Sequence, residues 1–388
     1  MKKIKILYIH HGDSPAGAPR SLAFLINKLD KDKYEPYVLV GQDYEGCSKL
    51  FGDVGAKVIY EKGLGAWHGS TVSGISFKKI IRNLKYHFST YCITKKIYNK
   101  IKPDIVHLNS TCLFMCAKAI RKCDKNVPII CHVREPLLDG FWGNILRKNN
   151  NKYVNRYIAI EKYDAKSMKT DKKVDIVYNF VDFEKYNSTI KSSVLRDELN
   201  IDKNDTICLY LARVSKENGA LELINNAKKI LETRDDIHFC IVGLKNNANK
   251  YESNVVQLSK KYKNIHVLPF RNDVPEVISS SDINIVPFTQ PHFARSIIET
   301  SAMGKVSIGS NIGGINELIQ DNVTGCLFNS DFSDFEIKLL KLVDDKESRK
   351  QMAINAEKYA LENFESVKNS NKVFSIYDEV LNNNADSI

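Results

Sequence analysis

Short apolar runs of strand length alternate with longer amphipathic segments along most of this chain, and that alternation restricts its fold more than any other feature. IKILYIH is followed by PRSLAFLINKL and YEPYVLVG, and DIVHL, VPIICHV and YIAIE continue the series. Strand, helix and strand in this order build a parallel, doubly wound sheet, whose ligands bind beyond the carboxyl ends of its strands. The series pauses near VDIVYNFVDFEKY and restarts at TICLYLARV, HFCIVG, IHVLPF, INIVPF and KVSIGS. We therefore expect an α/β protein with two sheets joined around residues 180 to 200, their strand ends facing each other across a cleft. A length of 388 residues suits two such domains. The polar stretch NSTIKSSV at 187 to 194 is read as connector and RKNNNKY at 147 to 153 as a second polar loop. No repeat of fixed period occurs.

No run of about 18 apolar residues is present, and the opening MKKIKILYIHHGD lacks a signal peptide's small-residue cleavage site, so a cytoplasmic protein is expected. Nine cysteines are scattered without a C-x-x-C pair, which argues against a disulfide framework or zinc site. Cys112, Cys116 and Cys123 share a helical spacing and are read as small buried hydrophobes.

The formal charge of +11 implies an acidic partner. From Phe77 to Lys102 there are eight Lys or Arg, including Lys78, Lys79, Arg82 and Lys85, and no acid. Ile80, Leu84, Phe88 and Tyr91 recur there at helical spacing, so one or two basic amphipathic helices are expected. Such a helix either packs on its own domain or meets an anionic membrane surface. No recognition motif for nucleic acid accompanies the charge, and no nucleic-acid partner is expected.

Three turns after strands carry the candidate chemistry. In IVPFTQPHFARSIIETSAMG a helix is expected to begin near Ser296, and an uncapped amino end offers N–H groups and partial positive charge to a phosphate. Pro291 to Ser296 shape the loop, and Glu299, about one turn inside, either reaches a sugar hydroxyl or complements the helix dipole. In GSNIGGINELIQ, Gly313 and Gly314 precede a helix expected at Ile315. In HHGDSPAGAPRSL, Gly17 stands just before a helix, without the G-x-G-x-x-G of a dinucleotide site. Past the strand TICLYL, Arg213 and Lys216 can meet phosphate oxygens or simply face solvent. His132, with Arg134 and Glu135 after it, puts a titratable group at a strand end. The one D-x-D, Asp30 to Asp32, lies in a lysine-rich turn and is read as solvated. Nothing requires a metal, and no cofactor is expected.

Taken in order, AGAPRSL, KPDIVHLNS, CHVRE, VYNFVDFEKY, LARVSKENG, FARSIIETSAMGK and GSNIGGINELIQDNVTGCLF resemble the family 4 glycosyltransferases of GT-B fold over nearly the whole chain. The resemblance implies two Rossmann-like domains, an acceptor-side domain at 1–185 and a donor domain at 186–370, with a helix at 371–388 crossing back to the first. It implies a retaining, metal-independent transfer of a sugar from a nucleotide-diphosphate donor. By position, Glu299 matches the second glutamate of the family's E-x7-E motif, which holds the donor ribose. Phe293, Ala294, Arg295 and Ser296 match the loop and helix start beside the diphosphate and sugar, Arg213 the diphosphate arginine, Gly17 the donor-facing turn, and His132 the histidine near the transferred sugar. Asn179 and Asp182 match a segment near the hinge and are read as structural.

Two positions depart from the family. Pro291 stands where the first glutamate of E-x7-E belongs, and Asn218 where a lysine five residues after Arg213 is usual, with Lys216 as its substitute. The expected function is transfer of a sugar to a glycan or lipid-linked acceptor in surface polysaccharide assembly, by a cytoplasmic protein peripheral on the inner face of the membrane. The alternatives are a non-catalytic nucleotide-sugar-binding partner subunit and a GT-B sugar-nucleotide epimerase.

Overall fold

A computed structural model describes residues 2–12, 17–41, 46–70, 76–245 and 248–385, and within these the side chains of Lys79, Asn384 and Ala385 are not described. The chain divides into two compact units, Met1–Asn179 with Val367–Ile388, and Phe180–Ser366. The division falls between residues 179 and 180, where the sequence reading put 185 and 186, and NSTIKSSV lies inside the second unit.

In the first unit seven parallel strands, β1 (Ile4–His10), β2 (Tyr34–Val40), β3 (Lys57–Tyr60), β4 (Ile105–Leu108), β5 (Ile129–Val133), β6 (Arg156–Ala159) and β7 (Val174–Ile176), run in the order β3-β2-β1-β4-β5-β6-β7. In the second, β8 (Thr206–Leu211), β9 (Ile237–Leu244), β10 (Ile265–Pro269), β11 (Ile283–Val286), β12 (Val306–Ser310) and β13 (Gly325–Phe328) run β10-β9-β8-β11-β12-β13, again all parallel. The order reverses beside β1 in one sheet and beside β8 in the other, which leaves a crevice past the strand ends at β1/β4 and at β8/β11.

Helices cover both faces, so the strands bury nearly every side chain, as β4, β5, β6 and β11 do throughout. Leu7, Ile9, Val106, Leu108, Ile129 and Tyr157 anchor one core, and Tyr210, Phe239, Ile241, Ile285, Ile308 and Phe328 the other. Cys112 and Cys116 are buried, with their thiols pushed up to about 12 by that burial.

The final helix, Ser366–Ala385, packs on the first unit. Val373, Ile376, Tyr377 and Val380 are buried. Tyr34 donates to Asp378 at 2.6 Å, and Arg156, itself buried, donates to Glu379 at 2.7 Å.

Two expectations need correction. RKNNNKY is not a loop but the end of the helix Phe141–Tyr153. Its polar groups serve the interior: Arg147 donates to the carbonyls of Ser167 and Leu137, and Asn150 to that of Thr111. No helix begins at Ile315; residues 313–318 form successive turns. Gly314 has φ 88°, and Ile315, Leu318 and Ile319 are all driven into the core within the few residues before the Asp321 to Thr324 turn.

The basic segment, expected as one or two helices, is a single helix Phe77–Ile101. Its inward face begins with polar groups: Asn83 exchanges hydrogen bonds with the backbone of His68, and Thr90 with that of Gly65. Leu84 and Phe88 point outward at 62% and 75% exposure, in line with Phe77 at 76% and Ile81 at 52%. Toward its end the helix buries Ile97, Tyr98 and Ile101, with Tyr91 and Ile93 half-buried against the same core.

Candidate functional site

Past the end of β8 the chain makes a tight turn before the helix Ala220–Ile230. Two donors converge on one atom there: the Tyr210 hydroxyl at 2.9 Å and Asn218 Nδ2 at 2.8 Å both meet the Arg213 carbonyl oxygen. Asn218 is buried and its Oδ1 has no hydrogen-bond partner among the described residues. The Arg213 backbone is thus held, while its side chain is exposed and, among the described residues, no hydrogen bond or ion pair engages its guanidinium or the ammonium of exposed Lys216.

The turn is locked to the neighbouring strand end. Thr289 donates through its N–H to Glu217 and through its hydroxyl to Lys216, both at 2.9 Å. Gly219 sits at φ 70°, and a Cβ there would stand 1.8 Å from the Pro287 carbonyl oxygen, so only glycine lets β11 and the turn come this close.

After β11, Phe288 and His292 stack at 4.4 Å with 12° between their planes. His292 Nδ1–H donates to the Gln290 carbonyl at 2.8 Å. Burial holds the ring's pKa down at about 4, and the Arg213 charge pushes the same way, so His292 is neutral with Nε2 as an acceptor. The helix Arg295–Ala302 follows, with Ala294 at its amino end and no side-chain cap. Phe293, Ala294 and Ser296 are buried, so what this loop offers a ligand is mostly backbone N–H. Glu299 is buried and accepts from Arg295 Nε and Nη2 at 3.2 and 3.1 Å. The sequence reading treated these two as separate contacts; one helical turn apart, they form a pair. Gly313 and Gly314 follow β12 in the turn described above, so one helix terminus, not two, stands at this edge.

In the first unit, Gly17 opens the helix Gly17–Asn27. Lys78, Arg82 and Lys85 are exposed on the basic helix, where Arg82 also donates to His68 at 2.7 Å; the Lys79 side chain lies outside the described residues. Asp30 accepts from Asp32 N–H at 2.8 Å within its own turn. His132 is buried on β5, with Nδ1 3.2 Å from His107 Nε2 and 3.4 Å from Arg134 Nη2. His107 Nδ1 lies 2.6 Å from the Tyr377 hydroxyl of the final helix. Arg134 also donates to Asn109 at 2.7 Å and Asn179 at 3.3 Å. Sequence reasoning missed Asn109 and His10. Both sit at strand ends beside the β1/β4 reversal, and that placement alone pointed to them.

Residues 192–359 match the family described as glycosyl transferases group 1. The two parallel sheets, with crevices at their reversals, have the GT-B fold. The chain is 25% identical over 325 residues to an Escherichia coli UDP-Gal:alpha-D-GlcNAc-diphosphoundecaprenol alpha-1,3-galactosyltransferase, covering 78% of this chain and 81% of that one. It is 25% identical over 383 residues to a Campylobacter jejuni N,N'-diacetylbacillosaminyl-diphospho-undecaprenol alpha-1,3-N-acetylgalactosaminyltransferase, covering 92% and 95%. The crystal structure of Anabaena Alr3699/HepE in complex with UDP superposes with a TM-score of 0.78 at 19% identity, covering 97% of this chain and 100% of that chain.

Proposed function

We propose that this chain is a glycosyltransferase that moves a sugar from a nucleotide diphosphate, with retention and without a metal, to a lipid-diphosphate-linked or glycan acceptor in surface polysaccharide assembly. The observation that carries the reading is Arg213, whose backbone is pinned by Tyr210 and Asn218 past the end of β8 while its exposed guanidinium is unengaged among the described residues, with the uncapped helix at Ala294 following the adjacent strand β11. Cleaving the sugar–phosphate bond builds negative charge on the departing diphosphate, and a fixed cation needs no reorganisation to meet it. Lys216 and the helix N–H groups add to that field, and Glu299 accepts from the donor ribose. With no carboxylate nucleophile assigned, the acceptor hydroxyl attacks the same face that the diphosphate leaves.

The two relatives above act on diphospho-undecaprenol-linked sugars, which supports a lipid-linked acceptor. The outward apolar row Phe77, Ile81, Leu84 and Phe88, flanked by Lys78, Arg82 and Lys85, suits a peripheral position on an anionic membrane. Among the described residues no helix is long and apolar enough to cross one.

Thermal shifts with UDP, GDP and ADP sugars identify the donor, since a ligand of the native state raises its melting temperature. Transfer to a diphosphate-linked lipid acceptor, with the anomeric configuration of the product read by NMR, then tests the reaction; an inverted product refutes retention. Asn218 and Pro291 favour a second reading, a non-catalytic subunit, which transfer by the purified chain alone excludes.

A further inference from the structure

Three adjacent strands of the first unit end side by side, β1 at His10, β4 at Leu108 and β5 at Val133. At or just past these ends His10, Asn109, His132 and Arg134 form one hydrogen-bonded group, with His10, Asn109 and His132 all buried. Its directions follow from Arg134, because a guanidinium carries only N–H groups and never accepts.

Arg134 Nε lies 2.7 Å from Asn109 Oδ1, so the amide presents its oxygen to Arg134 and its NH2 to the other side. There Asn109 Nδ2 stands 3.0 Å from His10 Nδ1 and 3.4 Å from the Ala18 carbonyl. His10 Nδ1 must therefore accept, and its ring proton sits on Nε2. The same logic holds at His132, where Arg134 Nη2 is 3.4 Å from Nδ1. His107 Nε2, 3.2 Å from that Nδ1, supplies a second N–H when the Tyr377 hydroxyl gives its proton to His107 Nδ1 at 2.6 Å rather than to the Tyr8 hydroxyl at 3.3 Å.

A second observation points outward. His10 Nε2 is closed off from solvent and has no partner among the described residues. A Cβ on Gly12 would come within 2.8 Å of it, so any larger residue at position 12 would press on this N–H. A buried donor without a partner is costly, and an acceptor supplied by a ligand removes that cost. Burial holds both rings well below the ordinary histidine pKa, with Arg134 adding to the effect, so each is an uncharged donor.

We propose that Arg134 is a positioning residue that commits His10, through Asn109, and His132, directly, to the Nε2–H form, and that His10 Nε2–H donates to a phosphate or hydroxyl oxygen of a substrate. The link to substrate rests on the glycosyl-transfer reading; the assignment of the protons does not.

Histidine-15N labelling of the full chain, with His10→Gln and His132→Gln for assignment, reads the protonated nitrogen of each ring directly. Wild type should show Nε2–H at both. Asn109→Asp offers His10 an acceptor in place of a donor, so the His10 proton should move to Nδ1 while His132 stays as it is. UDP-glucose, UDP and inorganic pyrophosphate separate nucleotide, sugar and bare phosphate as the source of the oxygen, and at least one should shift His10 Nε2 in wild type and none in the variant. The variant should lose about 10- to 100-fold in kcat/KM, as expected for a hydrogen bond to a charged group. Nδ1–H at either histidine in wild type, an unmoved His10 proton in Asn109→Asp, or no response to any of the three ligands overturns the proposal. The wild-type spectrum decides even if the variant fails to fold. Expected proton positions in a chain that transfers no sugar would instead sink the glycosyl-transfer reading and leave the role of Arg134 intact.

Discussion

Replacing Gly219 by alanine tests whether the two strand-end loops of the second unit are as tightly fitted as they look. Residue 219 has φ 70°, which costs an L-residue about 1–2 kcal/mol. The added Cβ would lie 1.8 Å from the Pro287 oxygen and 2.8 Å from its carbonyl carbon, both backbone atoms that no rotamer change can move aside. Forcing β11 and the turn apart adds an overpacking term of about 1–3 kcal/mol, and the smaller entropy of the unfolded alanine chain returns about 0.4–1 kcal/mol. The net loss is roughly 1–5 kcal/mol, or at least about 2 °C in Tm for a unit of this size. Gly52 is the control: its Cβ would meet nothing within 4 Å, so Gly52→Ala should leave Tm unchanged or raise it. Differential scanning calorimetry compares the two. Equal melting temperatures for Gly219→Ala and Gly52→Ala would refute the argument that β11 leaves no room for a side chain at the turn.

Glu299→Gln should keep the fold but weaken UDP binding by about 10- to 100-fold, and the preference for UDP over 2′-deoxy-UDP should disappear in isothermal titration; an unchanged preference removes Glu299 from the ribose. Burial lowers the pKa of His10, His107 (to about 3) and His132 in the first unit and of His266 and His292 (each to about 4) in the second. The unfolded chain therefore binds more protons below pH 6.5, and stability, full above that value, should fall as pH drops from about 6.5 toward 4, by up to about 1.4 kcal/mol per pH unit for each such histidine. Melting curves at pH 7, 6 and 5 check this, and a Tm flat across that range would contradict it. On the basic helix, Leu84→Glu with Phe88→Glu should leave Tm within about 1 °C, since both side chains are exposed. The pair should abolish flotation with anionic liposomes at low salt, and flotation equal to wild type would take this face away from the membrane.

The alternation of short apolar runs with amphipathic segments was enough to read both parallel sheets, because strands buried on two faces read as nearly continuous apolar runs. Where polar residues serve the interior the reading failed. Arg147 and Asn150 look like loop residues until their partners, the Ser167, Leu137 and Thr111 carbonyls, are known, and those partners are distant in sequence. On the basic helix Asn83 and Thr90 take the inward positions and set Leu84 and Phe88 outward, a choice that the apolar spacing alone left open. Around Arg213 the sequence pointed to the arginine from its strand-end position. It did not show that Asn218, in place of a lysine, holds the arginine's own carbonyl, since a hydrogen bond from side chain to backbone leaves no periodic trace. The pairing of Arg295 with Glu299 was missed, although their four-residue spacing on one helix signals it.

Turnover by Arg213→Ala tests the central claim most directly. With wild type and variant compared at saturating nucleotide sugar and matched melting temperature, a pinned guanidinium that meets the departing diphosphate predicts a loss of about 100-fold or more in kcat. A variant that turns over at the wild-type rate would show that the charge of the leaving group is met elsewhere.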